Sequence, residues 1–270
     1  MIAVVQNNGH VIPSRIEELT QQVSASRLGM WLSCKLKFYF KYVAQVEKPA
    51  TPALHAGKTV HAVLQAWNLA RWRNQPRSEA DLSDLFIHIW DEGQLGQDID
   101  WDGNEQKQRE KAWGLLELYL KETPIPADEK PSAVEVRLEA DLGEHGLPTL
   151  IGIIDLVRAG GVVVDFKTSA QTPQPDRVAH QTEIQLTCYS VLYREAVGKQ
   201  EAGFELHHLV KVKEPKLVVT ALPPATENQQ TRLFKQMESY VEGVAREDFV
   251  PSPGMQCLSC QFFNECRRWS

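Results

Sequence analysis

The stretch GIIDLVRAGGVVVDFKTS, residues 152–169, predicts two apolar strands joined by a short glycine-rich turn. A turn centred on Gly160 places Asp155 opposite Asp165. Because side chains alternate along a strand, Lys167 then shares a sheet face with Asp165. Two facing carboxylates repel each other, whereas a divalent cation between them is held by both. With apolar runs on either side, the pattern favours a metal site over a solvated acidic face.

Composition and charge narrow the class of protein. The chain has 270 residues, 43% of them hydrophobic and 24% charged, and a formal net charge of −6. This balance argues against a protein that coats nucleic acid through bulk positive charge, but an enzyme that gathers carboxylates for metal ions is compatible with it. No run approaches the roughly 18 apolar residues of a membrane span, and MIAVVQNNGH (1–10) lacks the pattern of a secretory signal. We expect a cytoplasmic protein without membrane contact.

The periodicity of the chain changes at the proline-containing segment 123–131. Residues 24–73 predict N-terminal helices, the first capped by Ser24 or Ser26, and residues 74–131 predict a helical insertion. Beyond the prolines, strands are predicted at 132–142, 147–158, 162–169, 204–213 and 216–222, and helices at 179–197 and 225–246. The tail from residue 251 is expected to be irregular.

These elements indicate one α/β domain over residues 1–270. Its parts are N-terminal helices (24–73), a helical insertion (74–131), the core of strands that carries the acidic hairpin (132–222), and a C-terminal helix with a cysteine-rich segment (223–270).

The segment HAGKTV (55–60) ends like a phosphate-binding loop at Gly57, Lys58 and Thr59. The Walker A pattern requires glycine where this chain has Pro52, and no apolar strand precedes the segment. We therefore reject a nucleotide cofactor and predict a helix that presents His61. A chain without a motor of its own would act alone or with a separate helicase.

Three motifs in this order make the chain resemble the PD-(D/E)XK nuclease superfamily. It is most similar to the RecB-like branch, which includes the AddB nuclease domain and the CRISPR-associated iron–sulfur exonucleases. The motifs are G-x-x-D followed by D-x-K, G-x-x-x-H upstream, and Q-x-x-x-Y downstream. They are matched by Gly152, Asp155, Asp165 and Lys167, by GKTVH ending at His61, and by QLTCY with Gln185 and Tyr189. The resemblance runs from about Ser24 to Cys266. It implies a restriction-endonuclease-like core, with a central mixed sheet flanked by helices.

The resemblance also implies a role for each motif residue. One or two Mg²⁺ or Mn²⁺ ions would be bound by Asp155, Asp165, His61 and the backbone carbonyl of Phe166. Lys167 would orient or help to deprotonate the attacking water and stabilise charge on the phosphoryl oxygens.

Three further side chains are candidates for the same site. Gln185 and Tyr189 are four residues apart, hence on one helical face, and could position a phosphate or Lys167. Glu135 could join the acidic set if its strand pairs alongside, or it could form an ion pair with Arg137 on the same sheet face.

Three of the five cysteines, Cys257, Cys260 and Cys266, form a C-x₂-C-x₅-C pattern that lacks a fourth ligand. Cys188 lies within a predicted helix and is expected to be a small buried residue, which makes Cys34 the better candidate. Disulfides are disfavoured by the expected cytoplasmic location.

In the RecB-like branch one cysteine precedes the nuclease core and three follow it, and together they hold a 4Fe–4S cluster. The resemblance therefore implies an iron–sulfur clasp that joins the N- and C-terminal segments through Cys34, Cys257, Cys260 and Cys266. From spacing alone, a Cys₄ zinc site fits equally well.

The function implied is that of a metal-dependent DNA nuclease, an exonuclease on single-stranded ends, in recombination and repair, CRISPR adaptation or phage DNA processing. Its partners would be DNA and a separate helicase or a recombination or CRISPR protein. One alternative is a non-catalytic nuclease-like module that binds DNA or a partner, scaffolded by the metal cluster. Another is a zinc-clasped structural protein whose acidic hairpin is only solvated.

Overall fold

In the computed structural model, which describes residues 14–269, a six-stranded mixed sheet forms the centre of the fold. The N-terminal segment MIAVVQNNGH lies outside the described residues. The strands are β1 (Gln22–Ser24), β2 (Ala133–Ala140), β3 (Thr149–Val157), β4 (Val162–Ser169), β5 (Gly203–Val210) and β6 (Lys216–Leu222).

Helices cover both faces of this sheet. They are α1 (Arg15–Gln21), α2 (Ala25–Ser33), α3 (Lys35–Phe38), α4 (Pro52–Trp72), α5 (Glu79–Glu92), α6 (Glu105–Glu122), α7 (Pro175–Gln181), α8 (Glu183–Val197), α9 (Glu227–Ala245) and α10 (Phe263–Arg268). A π-helical turn, Tyr39–Val43, follows α3, and 3₁₀ turns occupy Gly143–His145 and Met255–Ser259. Between residues 14 and 269, no helix is both long and apolar enough to cross a membrane.

Strand β3 is the hub of the sheet because three strands pair with it. Antiparallel β2 runs along one edge, while the opposite edge is shared by parallel β1 near the start of β3 and antiparallel β4 near its end. Parallel β5 continues the sheet beyond β4, and antiparallel β6 follows β5. Between the contacts with β1 and β4, residues 152–155 of β3 pair with neither strand. Asp155 lies in this gap of the hydrogen-bond ladder.

Two apolar cores lie on the two faces of the sheet. One packs β3 and β4 against α2, α8 and α9, and the other packs them against the helical insertion α4 to α6. Along β4, Val163 belongs to the first core, whereas Val164 and Phe166 belong to the second. This alternation is what a strand buried on both faces requires, and it explains the unbroken valine run.

Most elements follow the sequence pattern, with some differences. The predicted helix at 179–197 is two helices that meet at Thr182, and the tail predicted to be irregular contains a 3₁₀ turn and α10. Ser24, whose hydroxyl accepts the Arg27 N–H, caps α2, and that helix ends at Cys34, which has extended backbone. Strand β1, three residues long, was not indicated by the sequence because so short a segment carries no alternation.

Candidate active site

The acidic hairpin has the predicted register, but its ladder is shorter than predicted. Leu156 pairs with Val164, and the turn places Gly160 and Gly161 at φ of +90° and +87°, a region that glycine enters freely. The next pair outward would join Asp155 to Asp165, and the two strands separate there. The Asp155 carboxylate instead accepts the backbone N–H of Phe166 at 2.9 Å. The expectation of a directly facing carboxylate pair is therefore corrected: the strands diverge at the two acids.

The surroundings of Asp155 favour the protonated, uncharged form of its carboxyl group. Burial raises its pKa to about 7, and the charges of Asp165 and Glu135 act in the same direction. The Phe166 N–H and the Lys167 ammonium oppose the shift but do not reverse it. Metal-free, this group of acids carries electrostatic repulsion that a bound cation would relieve.

A hydrogen-bond network joins Asp165 to α8. The Gln185 amide N–H donates to Asp165 Oδ1 at 2.7 Å and to the Tyr189 hydroxyl at 2.9 Å. Its carbonyl accepts from Lys167 Nζ at 2.8 Å, and the Tyr189 hydroxyl donates to Asp165 Oδ1 at 3.4 Å. Gln185 thus fixes the Lys167 ammonium and the Asp165 carboxylate relative to each other. Sequence spacing predicted that the two α8 residues share a face, and the structure turns that face toward the hairpin.

His61, on α4, approaches the same carboxylates from the opposite side of the sheet. Its Nδ1 lies 3.6 Å from Asp155 Oδ2, and its ring meets that of Phe166 edge to face at 6.2 Å. Burial lowers the pKa of His61 below its usual value, against the opposing charge of Asp165. The imidazole is therefore neutral at pH 7, which is the form that binds metal ions.

Glu135 lies opposite Asp155 in the β2–β3 register, but the two residues do not pair. Its φ of +48° is rare for a residue with a side chain. The distortion reverses the alternation of β3: Ile154 packs in the core under α8 and Leu156 in the core under the insertion. Burial raises the pKa of Glu135, whereas Arg137 pairs with Glu139 at 3.2 Å. Glu135 lies close enough to raise the pKa of Asp155, and Arg137 has Glu139 as its partner; a role for Glu135 in the acidic set stays a prediction.

The donor set fits a hard divalent cation, although the side chains are not arranged around one. Within residues 14–269, no three His, Cys, Asp or Glu side chains lie in a group that could hold a metal ion. Lys167 Nζ lies 2.8 Å from Asp165 Oδ2, yet among the described residues that buried oxygen has no well-directed hydrogen bond. Carboxylates, a neutral imidazole and a nearby carbonyl are the ligands that Mg²⁺ or Mn²⁺ takes.

The comparison with protein families shows the family of this chain. The sequence model of the PD-(D/E)XK nuclease superfamily matches residues 22–267. The chain belongs to this superfamily. The match spans the strand core, the helical insertion and the cysteine segment. Nucleases of the PD-(D/E)XK superfamily generally use divalent metal ions such as Mg²⁺ or Mn²⁺.

Solved structures support the same fold. A protein of Eubacterium rectale, described as a candidate exonuclease, superposes with a TM-score of 0.63 at 14% identity, covering 97% of this chain and 94% of its own. A second structure, that of a protein called SSO0001, reaches a TM-score of only 0.44 at 14% identity, over 96% of this chain and 88% of that one. The second value is too low to support an argument. No curated protein matches the sequence.

His208 is a neighbour of the PD-(D/E)XK residues that the sequence did not indicate. It pairs with Lys167 across the parallel β4–β5 ladder, so the two side chains share a sheet face. The His208 side chain is buried, and burial lowers its pKa. Its position follows from the β4–β5 register, which no local signal in the sequence reveals.

Four cysteines line one cavity of about 50 Å³ at the edge of the molecule. They are Cys34, Cys257, Cys260 and Cys266, the four predicted ligands. Leu36, Phe40 and Phe262 form the apolar side of the same cluster. Burial raises the pKa of Cys266. Negative charge on the other three cysteines raises this pKa further, and Cys34 has the largest effect of the three. Like the acids of the hairpin, these thiols are not arranged around a metal ion in the described part of the chain; sulfur donors are the ligands that iron–sulfur clusters and zinc take.

The fifth cysteine lies apart from the cavity, and further contacts join the segments that carry the other four. All five thiols are free, and Cys188 is buried in the core under α8, as predicted for a small apolar residue. Direct protein contacts also join the two segments: Phe40 stacks on Phe262 at 5.7 Å, and Lys48 pairs with Glu265 at 2.6 Å. The segments carrying the thiols are therefore already neighbours in the fold.

A groove beside the hairpin contains residues that sequence reasoning did not connect. Its volume is about 650 Å³, and it lies between the start of α2 and the α7–α8 junction, over residues 151–153 of β3. Lys167, Gln185 and Tyr189 are among the residues that line it. The groove opens where β3 lacks a partner between β1 and β4, so only the assembled sheet reveals it.

Proposed function

We propose that this protein is a divalent-metal-dependent DNA nuclease that degrades single-stranded DNA from its ends. The observation that carries the proposal is the convergence of Asp155, Asp165 and Lys167 at the point where β3 and β4 separate, with Gln185 holding Lys167 and Asp165 together. A set of buried acids in mutual repulsion is costly for a fold unless a cation uses them.

The proposed mechanism assigns each side chain a task. Asp155, Asp165, His61 and the Phe166 carbonyl would hold one or two Mg²⁺ or Mn²⁺ ions, with Glu135 as a further acid. When bound, the metal would lower the pKa of the attacking water and neutralise negative charge on the phosphoryl group and on the leaving 3′-oxygen.

The remaining side chains position the reacting groups. Lys167 would orient the water and stabilise the phosphoryl oxygens. Gln185 holds the Lys167 ammonium at the distance observed, 2.8 Å, and the Tyr189 hydroxyl supports Gln185 and Asp165.

For the cysteine cavity we propose a 4Fe–4S cluster on Cys34, Cys257, Cys260 and Cys266. The four thiols on one cavity and its apolar lining support a soft multi-sulfur site, and the choice of iron–sulfur over zinc rests on resemblance to the RecB-like branch. The cluster would act as a clasp that adds to the contacts already present between the two chain segments.

The proposal also covers the domain organisation, the location and the partner proteins. Residues 1–270 would form one nuclease domain that works in the cytoplasm, on ends produced by a separate helicase or by a recombination, CRISPR or phage DNA-processing protein. The candidate exonuclease from Eubacterium rectale, similar in fold, supports an exonuclease over an endonuclease.

The experiment is a nuclease assay with protein purified without oxygen. End-labelled single- and double-stranded DNA is incubated with Mg²⁺, Mn²⁺ or EDTA, and Asp165→Ala and Asp176→Ala are run alongside after their folding is checked by circular dichroism. Asp176 is exposed in the first turn of α7 and serves as the matched control.

Metal-dependent degradation that is lost in Asp165→Ala and kept in Asp176→Ala supports the proposal, and the product ladder gives the polarity. If the intact protein with its iron content confirmed cuts neither substrate, the nuclease assignment is wrong. The non-catalytic DNA- or partner-binding module then becomes the better reading of the hairpin.

A further inference from the structure

The groove of about 650 Å³ beside the hairpin has two walls and a floor. One wall is formed by Ser24, the N-cap of α2, and by Ser26 and Gly29 of that helix. Ile184 and Gln185 of α8 form the other wall. Residues 151–153 of β3 form the floor. The volume falls within the range of small-molecule sites.

The lining combines apolar surface with a positive charge. Ile153 is 47% exposed, an unusual exposure for a large apolar residue in a central strand. Arg137 faces Ile153 across the β2–β3 ladder, so the two side chains project from the same sheet face. An unpaired base has apolar faces to bury, and its phosphate has a charge to neutralise. In a duplex the bases stack on each other and present no such faces.

Arg137 is available to a phosphate although it has a partner. Its ion pair with Glu139 is 3.2 Å long, and the two side chains are 67% and 53% exposed. Exposed pairs of this kind contribute little and are screened by salt. A phosphate, with its full charge and several acceptor oxygens, can replace Glu139 as the partner of Arg137.

We propose that this groove holds the terminal unpaired nucleotides of the DNA strand, with a base against Ile153 and a backbone phosphate at Arg137. The inference rests on the proposed nuclease function and deepens it, because Lys167, Gln185 and Tyr189 line the same groove. It gives the preference for single strands a location in the fold, because only an unpaired strand presents free base faces to Ile153.

Gly29 offers a test that removes no contact. A Cβ at this helical position would meet no atom within 4 Å, so a side chain here projects into open space in the groove. Gly114, in the middle of α6, has the same free surroundings and does not line the groove. Replacing either glycine by leucine favours the helix, so Gly29→Leu and Gly114→Leu should both fold.

The experiment measures binding of a 20-nucleotide single strand, a matched blunt duplex and an abasic single strand by fluorescence anisotropy. It uses the anaerobically purified full chain in EDTA, so that hydrolysis does not interfere. We expect the wild type to prefer the intact single strand over the other two. Gly29→Leu should weaken its binding about tenfold, the loss of one held base, with Gly114→Leu unchanged. Ile153→Ser should remove the preference for the intact strand over the abasic one, and Arg137→Ala should reduce the salt dependence by about one phosphate contact.

Binding by Gly29→Leu equal to that of the wild type would overturn the inference, as would equal affinity for the abasic and intact strands. The outcome is separable from the nuclease proposal because binding is measured without metal. A protein that cleaves DNA but binds through another surface contradicts the groove alone. A protein that binds through the groove but cleaves nothing contradicts the nuclease alone.

Discussion

The hairpin site and the cysteine cavity differ in how the chain assembles them. Asp155, Asp165 and Lys167 lie on two consecutive strands, and the sheet, two cores and the Gln185 network hold them. Cys34 meets its three partners only because the ends of the described chain come together around a small apolar cluster. Near those cysteines, Met255 and Leu258 are 80% and 82% exposed. The hairpin should keep its geometry without metal, whereas the cysteine segment should depend on its ligand for order.

The largest expected effect is on catalysis at the hairpin. Asp155→Asn should reduce DNA hydrolysis at least about 10³-fold, because an amide cannot replace a metal-binding carboxylate. The same substitution should leave the metal-free protein at least as stable as the wild type, because it relieves repulsion with Asp165 and Glu135. Initial rates and thermal melts in EDTA measure the two effects. Asp176→Asn is the control, and a destabilised Asp155→Asn would contradict this account of the site.

The second largest effect is expected when one of the four cysteines that line the cavity is replaced. Cys260→Ser should lose iron and destabilise the protein by about 2–4 kcal/mol, because a missing ligand opens the proposed clasp. Limited proteolysis should cut within residues 250–269 before the sheet is attacked. Cys188→Ala is the matched control, since it removes a buried thiol from the other core and should keep its iron. Iron content and cleavage sites by mass spectrometry check the result; zinc in place of iron would contradict the iron–sulfur assignment but leave the clasp.

A third prediction concerns pH and the metal-free hairpin. The folded-state pKa of Asp155, about 7, lies above its ordinary value, so the protonated carboxyl favours the folded state. This contribution is fully present below about pH 4 and is lost as pH rises through about 7, with a slope of at most about 1.4 kcal/mol per pH unit. Urea titrations in EDTA between pH 5 and pH 8 should show the decline, and Asp155→Asn should reduce it. The same decline in Asp155→Asn would assign it to another group.

The smallest effect refines the role of α8. Gln185→Leu should lower the cleavage rate about 10- to 100-fold with little change in KM, because Lys167 and Asp165 lose the amide that joins them. Steady-state kinetics on single-stranded DNA separate kcat from KM. Gln106→Leu, on the exposed face of α6, controls for loss of a glutamine. A rise in KM at constant kcat would instead place Gln185 in substrate binding.

Much of this site could be predicted from local patterns. The glycine turn and the period-two alternation determine the hairpin register, so Asp155, Asp165 and Lys167 could be grouped from the sequence. The four-residue spacing of Gln185 and Tyr189 predicted their common face for a similar reason. Each of these inferences needs only backbone geometry over a few residues.

Other features had no local signal. The separation of the strands at Asp155 accompanies the positive φ of Glu135. Glutamate does not favour this backbone conformation, so the sequence contained no signal for it. Strand β1 forms because β3 offers it an edge, and a three-residue segment has no pattern of its own. The partnership of His208 with Lys167 depends on the parallel β4–β5 register.

The sequence by itself predicted the chemistry proposed for this protein: which acids share a hairpin, which lysine accompanies them and, through the family resemblance, which four thiols could meet. Only the tertiary structure decided where the sheet opens and what lines the opening, so that Gly29, Arg137 and Ile153 come to one groove. The physical reason is distance along the chain. Alternation and turn geometry act within a few residues, whereas the gap on β3 results from packing among α2, α8 and strands that the sequence keeps far apart.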